Sequence, residues 1–339
     1  MKFRHILFLA LTGAVALASR AEARQKSGIT GAAFLKVGVG ARMAALGQAA
    51  TTVTKEPNQL FLNPSGIALK SGETQVTFTY NKWIADIAHN AAAVTFGTRI
   101  GTLGVGFVSM GKSKIDANRD VIPGFLQGIA TVYDASTSAT YDYSDIAILL
   151  GYANQVTDKL SLGSGVKILR ESIDSKSASS LAFDFGAIYQ IGFHGASVGA
   201  RISNIGKDMK FFTYGVPLPL TFSVGASFDL VKNTKHSLMI RADAAKPQDA
   251  SQILFSGGEY VYNDMLFLRG AWKFNYSGTE HTYGGTNQNK TIKDTEEKGS
   301  LGAGVKLPMG KHKVAVDYAY TGFGVLNNVH RFSIGIDLK

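Results

Sequence analysis

The sequence predicts an all-β fold: a 14-stranded antiparallel transmembrane β-barrel with an N-terminal hatch in its lumen. Three observations predict it. From residue 74 onward the chain divides into period-two segments, many about ten residues long, the length of a strand tilted across a bilayer. The connections between them alternate between longer and short. A compact, mostly apolar stretch with no strand pattern, 28–69, precedes them all.

The first residues read as a secretory signal peptide. Lys2, Arg4 and His5 supply a basic start, 6–18 an apolar run, and Ala21-Glu22-Ala23 a small-residue cleavage site. The run is too short to span a bilayer as a helix, which takes about 20 residues. The expected organisation is a signal peptide over 1–23, a hatch over 24–72 and a barrel over 73–339. Cleavage would remove Lys2, Arg4, Arg20 and Glu22 and lower the net charge from +10 to +8. Lys and Arg are not clustered among aromatics, so no nucleic-acid partner is expected.

The 28–69 stretch is rich in Ala and Gly, and its charged residues are Lys36, Arg42, Lys55 and Glu56. A short helix is expected over 43–50 and a helical turn over 59–62, stopped by Pro64 because Pro disfavours helix at the residue before it. Asn63, Pro64, Ser65 and Gly66 form a strong turn signal. Pro64 would fix one backbone angle and Gly66 would permit a positive one.

The expected strands cover 74–80, 89–98, 102–110, 144–154, 159–170, 180–191, 194–203, 220–230, 236–243, 252–260, 265–274, 299–307, 313–320 and 330–338. In the sixth, Leu181, Phe183, Phe185 and Tyr189 oppose Ala182, Asp184, Gly186 and Gln190. In the eleventh, Leu266, Leu268, Trp272 and Phe274 oppose Arg269 and Lys273. In the last, Phe332, Ile334, Ile336 and Leu338 oppose Arg331, Ser333 and Asp337. A soluble barrel would point these apolar rows inward, but fourteen strands enclose a lumen too wide for them to fill. The opposite assignment sends the apolar phase to lipid and the small and charged phase to the lumen. The phase is weakest in the second and tenth strands.

Short connections are expected at 99–101, 155–158, 192–193, 231–235, 261–264 and 308–312. Longer ones include 111–143, 204–219, 244–251 and 275–298. Outer-membrane barrels combine short periplasmic turns with longer outer loops. Backbone groups in lipid must be satisfied internally, so the sheet must close. Tyr80, Trp83, Tyr152, Tyr260, Trp272 and Tyr320 fall at strand ends, as interfacial aromatics do.

Catalytic chemistry is sparse. There is no Cys, hence no thiolate site. Metal-ligand spacing is absent among the His residues, and the motifs of zinc proteases and serine hydrolases are missing. No catalytic residue, cofactor or metal is expected, and lone His at strand starts read as interfacial or solvated. Asp184, Arg201, Arg241, Asp243, Arg269, Lys306 and Asp317 are candidate lumen-lining ionisable residues. They could line a conduction path, or bond to the hatch and to one another. The second reading has the better physical reason, because an apolar hatch still carries backbone groups that need partners.

The runs GAAFLKVGVGAR (31–42) and LNPSGIA (62–68) resemble the PorV/PorQ family of outer-membrane proteins. So do Trp83, Asp86, His89 and Asn90, which fall in a Trp-x-x-Asp-x-x-His-Asn segment, and the runs AFDFG (182–186) and ISNIG (202–206). That family is similar in fold to the long-chain fatty-acid (FadL-like) transporters, 14-stranded barrels whose hatch carries Asn-Pro-Ala. Here Asn63-Pro64 matches and Ser65 replaces Ala. The resemblance implies a component of, or accessory to, type IX-like protein secretion or cell-surface attachment at the outer membrane. Its partners would be outer-membrane lipid and secreted proteins or secretion-system components. The alternative it implies is a FadL-like transporter of hydrophobic small molecules gated by the hatch.

Overall fold

The computed structural model describes residues 28–116, 140–250, 252–274, 280–282, 289–291, 297 and 299–338. The expected signal peptide lies outside them. Fourteen strands build the wall: β1 (Thr74–Lys82), β2 (Ala88–Thr98), β3 (Gly101–Asp116), β4 (Thr140–Gln155), β5 (Leu160–Ile173), β6 (Lys176–Gln190), β7 (Ser197–Gly206), β10 (Thr221–Lys232), β11 (His236–Pro247), β12 (Ile253–Tyr262), β13 (Leu266–Phe274), β16 (Gly299–Met309), β17 (His312–Gly322) and β18 (Asn328–Leu338). Two small ribbons form separate sheets and are not part of the wall: β8 (Met209–Lys210) with β9 (Gly215–Val216), and β14 (Glu280–Thr282) with β15 (Asn289–Thr291). Each wall strand pairs with its neighbours in the chain, and β1 pairs with β18 from Thr74↔Leu338 to Lys82↔His330. The barrel is therefore closed and antiparallel throughout.

The wall sorts residues by phase. Leu268 is 58% exposed on the outside, while its neighbour Arg269 is buried in the lumen. Phe332 and Ile334 face out around the buried Ser333, and Phe183 and Phe185 face out around the buried Asp184. None of the described residues covers this outer band of Phe, Leu, Ile and Val, the arrangement of a lipid-facing surface. The two strands of weak phase are now resolved. In β2, His89, Ala91, Ala93 and Thr95 face in. In β12, Phe255, Gly257 and Glu259 face in, leaving Ser256 and Gly258 outside. His89 is thus a lumen residue beside Asn81, at 3.2 Å, rather than interfacial. Trp83 departs from the girdle too: it packs edge-on against Phe323 at 5.0 Å and under the Arg331 guanidinium at 5.2 Å.

Several strands overrun the expected bounds at the long-connection end. β3 and β4 each hold 16 residues, about 50 Å of strand against a hydrocarbon core of roughly 30 Å. The stretch left between the fifth and sixth expected strands, 171–179, is mostly strand closed by a tight turn, because β5 continues to Ile173 and β6 begins at Lys176. Asp174 takes a left-handed φ of 52° there, and its N–H donates to Asp142 O at 3.0 Å. Asymmetry between the two ends therefore resides partly in strand overhang. Most of the 111–143 and 275–298 connections lies outside the described residues.

Residues 28–69 lie within the barrel. They form helical turns at Ala33–Lys36, Pro57–Phe61 and Pro64–Ile67 and a short helix at Ala41–Ala45. That helix starts earlier than the expected 43–50 and stops sooner. Gly47 and Gln48 take φ of 60° and 67°, which ends it, and Ala50 and Thr51 are drawn away to donate their N–H groups to Asp243. The segment enters beside the β7–β10 connection, where Gly31 N–H donates to Pro217 O at 2.9 Å. It leaves at the short-connection end, where Leu69 N–H donates to the Thr102 hydroxyl at 2.7 Å.

Candidate channel lumen and hatch

The hatch turn is a single 3-10 turn with Pro64 at its start, where the missing N–H costs nothing. Asn63 caps it: its side-chain oxygen accepts from Ser65 N–H at 3.3 Å and from the Ser65 hydroxyl at 2.7 Å. Its amide donates to Thr51 O at 2.7 Å. One expectation is corrected. Gly66 has no left-handed φ; it is needed because a Cβ there would overlap Val53 O and Gln59. The wall makes matching room: a Cβ on Gly163 would overlap Pro64 and Ser65, and one on Gly186 would overlap Asn63 Oδ1.

All seven candidate ionisable residues point into the lumen side of the wall. Asp184 pairs with Lys167 at 2.6 Å and accepts from Asn204 N–H at 2.8 Å, across a bulge where Asn204 takes a φ of 65°. Asp243 accepts from Ala50 N–H at 2.9 Å and Thr51 N–H at 2.8 Å. Arg201 donates to Leu62 O at 3.2 Å and to Ser203 Oγ at 3.4 Å, and Arg241 donates to Thr52 Oγ1 at 3.1 Å. Arg269 bridges Glu259 at 2.7 Å and Asp317 at 2.5 Å. Lys306 stands apart, on Asp337 at 2.5 Å near the short-connection end.

Sequence reasoning left several partners unnamed. Glu259 is the centre of the lumen charges: Arg42 of the hatch grips it at 2.9 and 2.8 Å, Arg269 joins at 2.7 Å and Arg241 stands 4.0 Å away. Its strand was one of weak phase. Lys167, Lys273 and Arg331 sit on the charged phase of their strands, which was their available signal. At the long-connection end, Asp249 accepts from Lys36 at 2.6 Å and from the Thr30 hydroxyl at 2.5 Å. Burial works against the Asp249 carboxylate, but these two hydrogen bonds and the Lys36 charge prevail and hold it below the ordinary range.

Above the hatch, toward the long connections, a cavity of about 310 Å³ remains. Phe34, Val37, Met43, Phe61, Leu149 and Phe255 give it apolar walls, and Lys167, Arg201 and Lys273 add charge. A space of this size admits a small organic molecule. Among the described residues no group of three potential ligands could hold a metal ion.

No protein-family model and no curated protein matches the chain. Solved structures are similar to it in fold. The toluene transporter TbuX of Ralstonia pickettii is 14% identical, with a TM-score of 0.54 over 88% of this chain and 97% of that one. The toluene transporter TodX of Pseudomonas putida is 12% identical, with a TM-score of 0.53 over 88% and 96%. The CymD monoaromatic hydrocarbon channel is 11% identical, with a TM-score of 0.53 over 89% and 97%. The chain shares the fold of these FadL-like channels.

Proposed function

We propose that this protein is a FadL-like channel of the outer membrane that passes small hydrophobic molecules, with the hatch controlling passage. The observation that carries the reading is the largely apolar cavity between hatch and wall, inside a barrel whose outer face is an apolar band. Similarity of fold to TbuX, TodX and CymD supports it. The PorV/PorQ secretion reading rests on short sequence runs alone and has no matching support from the comparisons.

The test uses purified full-length protein in liposomes. Uptake of a small hydrophobic compound such as toluene should be faster than into protein-free liposomes. Equal rates would sink the transport reading. Co-purification from membranes with secreted proteins and no gain in uptake would favour the secretion reading. Outer-membrane fractionation, with anomalous migration of unboiled protein on a detergent gel, checks location.

A further inference from the structure

The lumen holds a second cavity. It measures about 80 Å³ and lies below the hatch at the short-connection end, against β1, β16, β17 and β18. Arg42, Lys55 and Lys306 face Glu56, Asp317 and Asp337 around it. The outer cavity and this inner one share one lining residue among those described, Asn58.

Asn58 is wedged between the hatch and the wall. Its amide donates to Glu56 Oε1 at 3.1 Å and to the Thr77 hydroxyl on β1 at 3.4 Å, while its buried Oδ1 has no hydrogen-bond partner among the described residues. Across from it is Gly40, with a φ of 86°; a Cβ there would sit 2.7 Å from the Asn58 amide nitrogen. Elsewhere the hatch is tied down. Ala41 N–H donates to Ser333 Oγ at 2.8 Å, Arg42 grips Glu259, and Ala50 and Thr51 bind Asp243. Withdrawing the whole hatch would break all of these buried bonds, each costly to leave unmade. Swinging one amide, whose oxygen has nothing to lose, breaks far less.

We propose that Asn58 is the gate between the two chambers, so that solutes pass along the β1, β17 and β18 wall while the hatch stays in place. The inference rests on the channel reading above and adds the route.

The absence of Cys makes the test clean. Full-length protein is placed in planar bilayers and its ion conductance is recorded. Asn58→Ala should raise conductance by about twofold or more, since a constriction sets the flow. In the pair Asn58→Cys with Thr77→Cys, oxidation should close the passage and dithiothreitol reopen it on the same molecules, which separates gating from misfolding. Unchanged conductance in both variants would overturn the gate, even with solute uptake intact. If Asn58 controls conductance while wild-type liposomes take up no hydrophobic solute, the gate stands and the transport reading falls.

Discussion

Arg42 and Glu259 form a two-point ion pair, at 2.9 and 2.8 Å, that joins the short hatch helix to β12. Glu259 also meets Arg269 at 2.7 Å, so one carboxylate serves the hatch and the wall together. Its loss leaves more charge uncompensated than the loss of Arg42. Glu259→Gln should therefore destabilise the folded barrel by about 3 kcal/mol or more, the cost of breaking a buried pair from one side. Arg42→Gln should cost clearly less and chiefly loosen the hatch. Thermal unfolding in detergent, read by the loss of anomalous gel migration, compares the two; equal shifts would remove Glu259 from its central position.

The close approach of the hatch turn to the wall makes Gly163 and Gly186 sensitive. Each is a strand residue, so alanine is compatible with its backbone, and the expected harm comes only from the hatch. A methyl group at Gly186 meets the Asn63 cap, and overpacking of this kind typically costs about 1–3 kcal/mol. Gly186→Ala should displace the turn and increase protease cleavage within 28–69 while the barrel still assembles. Gly258→Ala, on the outer face of β12, should leave cleavage unchanged. Equal cleavage in both would mean that the turn is not held against the wall at Gly186.

The alternation along β13 gives a test of the outer surface. Leu268 is exposed beside the buried Arg269. Arg at a lipid-facing position near the midplane costs about 2–4 kcal/mol, whereas on a water-facing surface it costs little. Leu268→Arg should lower folded yield in lipid vesicles strongly, and Ser256→Thr on the same face only slightly. A harmless Leu268→Arg would contradict a lipid-facing band.

The wall was legible because solvation constrains it twice. Lipid outside demands large apolar side chains in one phase, and the lumen collects Asp184, Asp243 and Arg269 in the other. That rule fails where both faces carry small residues. In β12, Ser256, Gly257 and Gly258 say nothing about direction, and Glu259 was overlooked with them. Partners within the lumen were not legible either. Lys167 meets Asp184 diagonally across β5 and β6 and also reaches Asn204 where β7 bulges, and a bulge leaves no mark in a period-two count. Lys36 meets Asp249 from 213 residues away, a separation that only barrel closure removes. The 171–179 segment is polar enough to read as a loop, yet its backbone pairs as strand because β4 continues beside it.

The Asp249 contact makes the start of the hatch sensitive to acid. Lys36 and Thr30 hold Asp249 below the ordinary carboxylate value, which is about 3.9 when unperturbed. A group whose value is lowered by folding adds stability above its unfolded value, and that contribution disappears as pH falls through the lowered one. The hatch start should therefore stay docked at neutral pH and begin to loosen only below about pH 4. Ile29 is exposed and close to Thr30, and the chain has no Cys, so a spin label on Ile29→Cys reports this region alone. The label should be restricted at neutral pH and gain mobility as the medium is acidified below that point. In Asp249→Asn, which keeps the size but not the charge, mobility should be higher at neutral pH and change little with acid. If the two proteins give the same pH profile, the Lys36–Asp249 pair does not anchor the hatch, and its hold must come from deeper contacts such as Asp243 with Ala50 and Thr51.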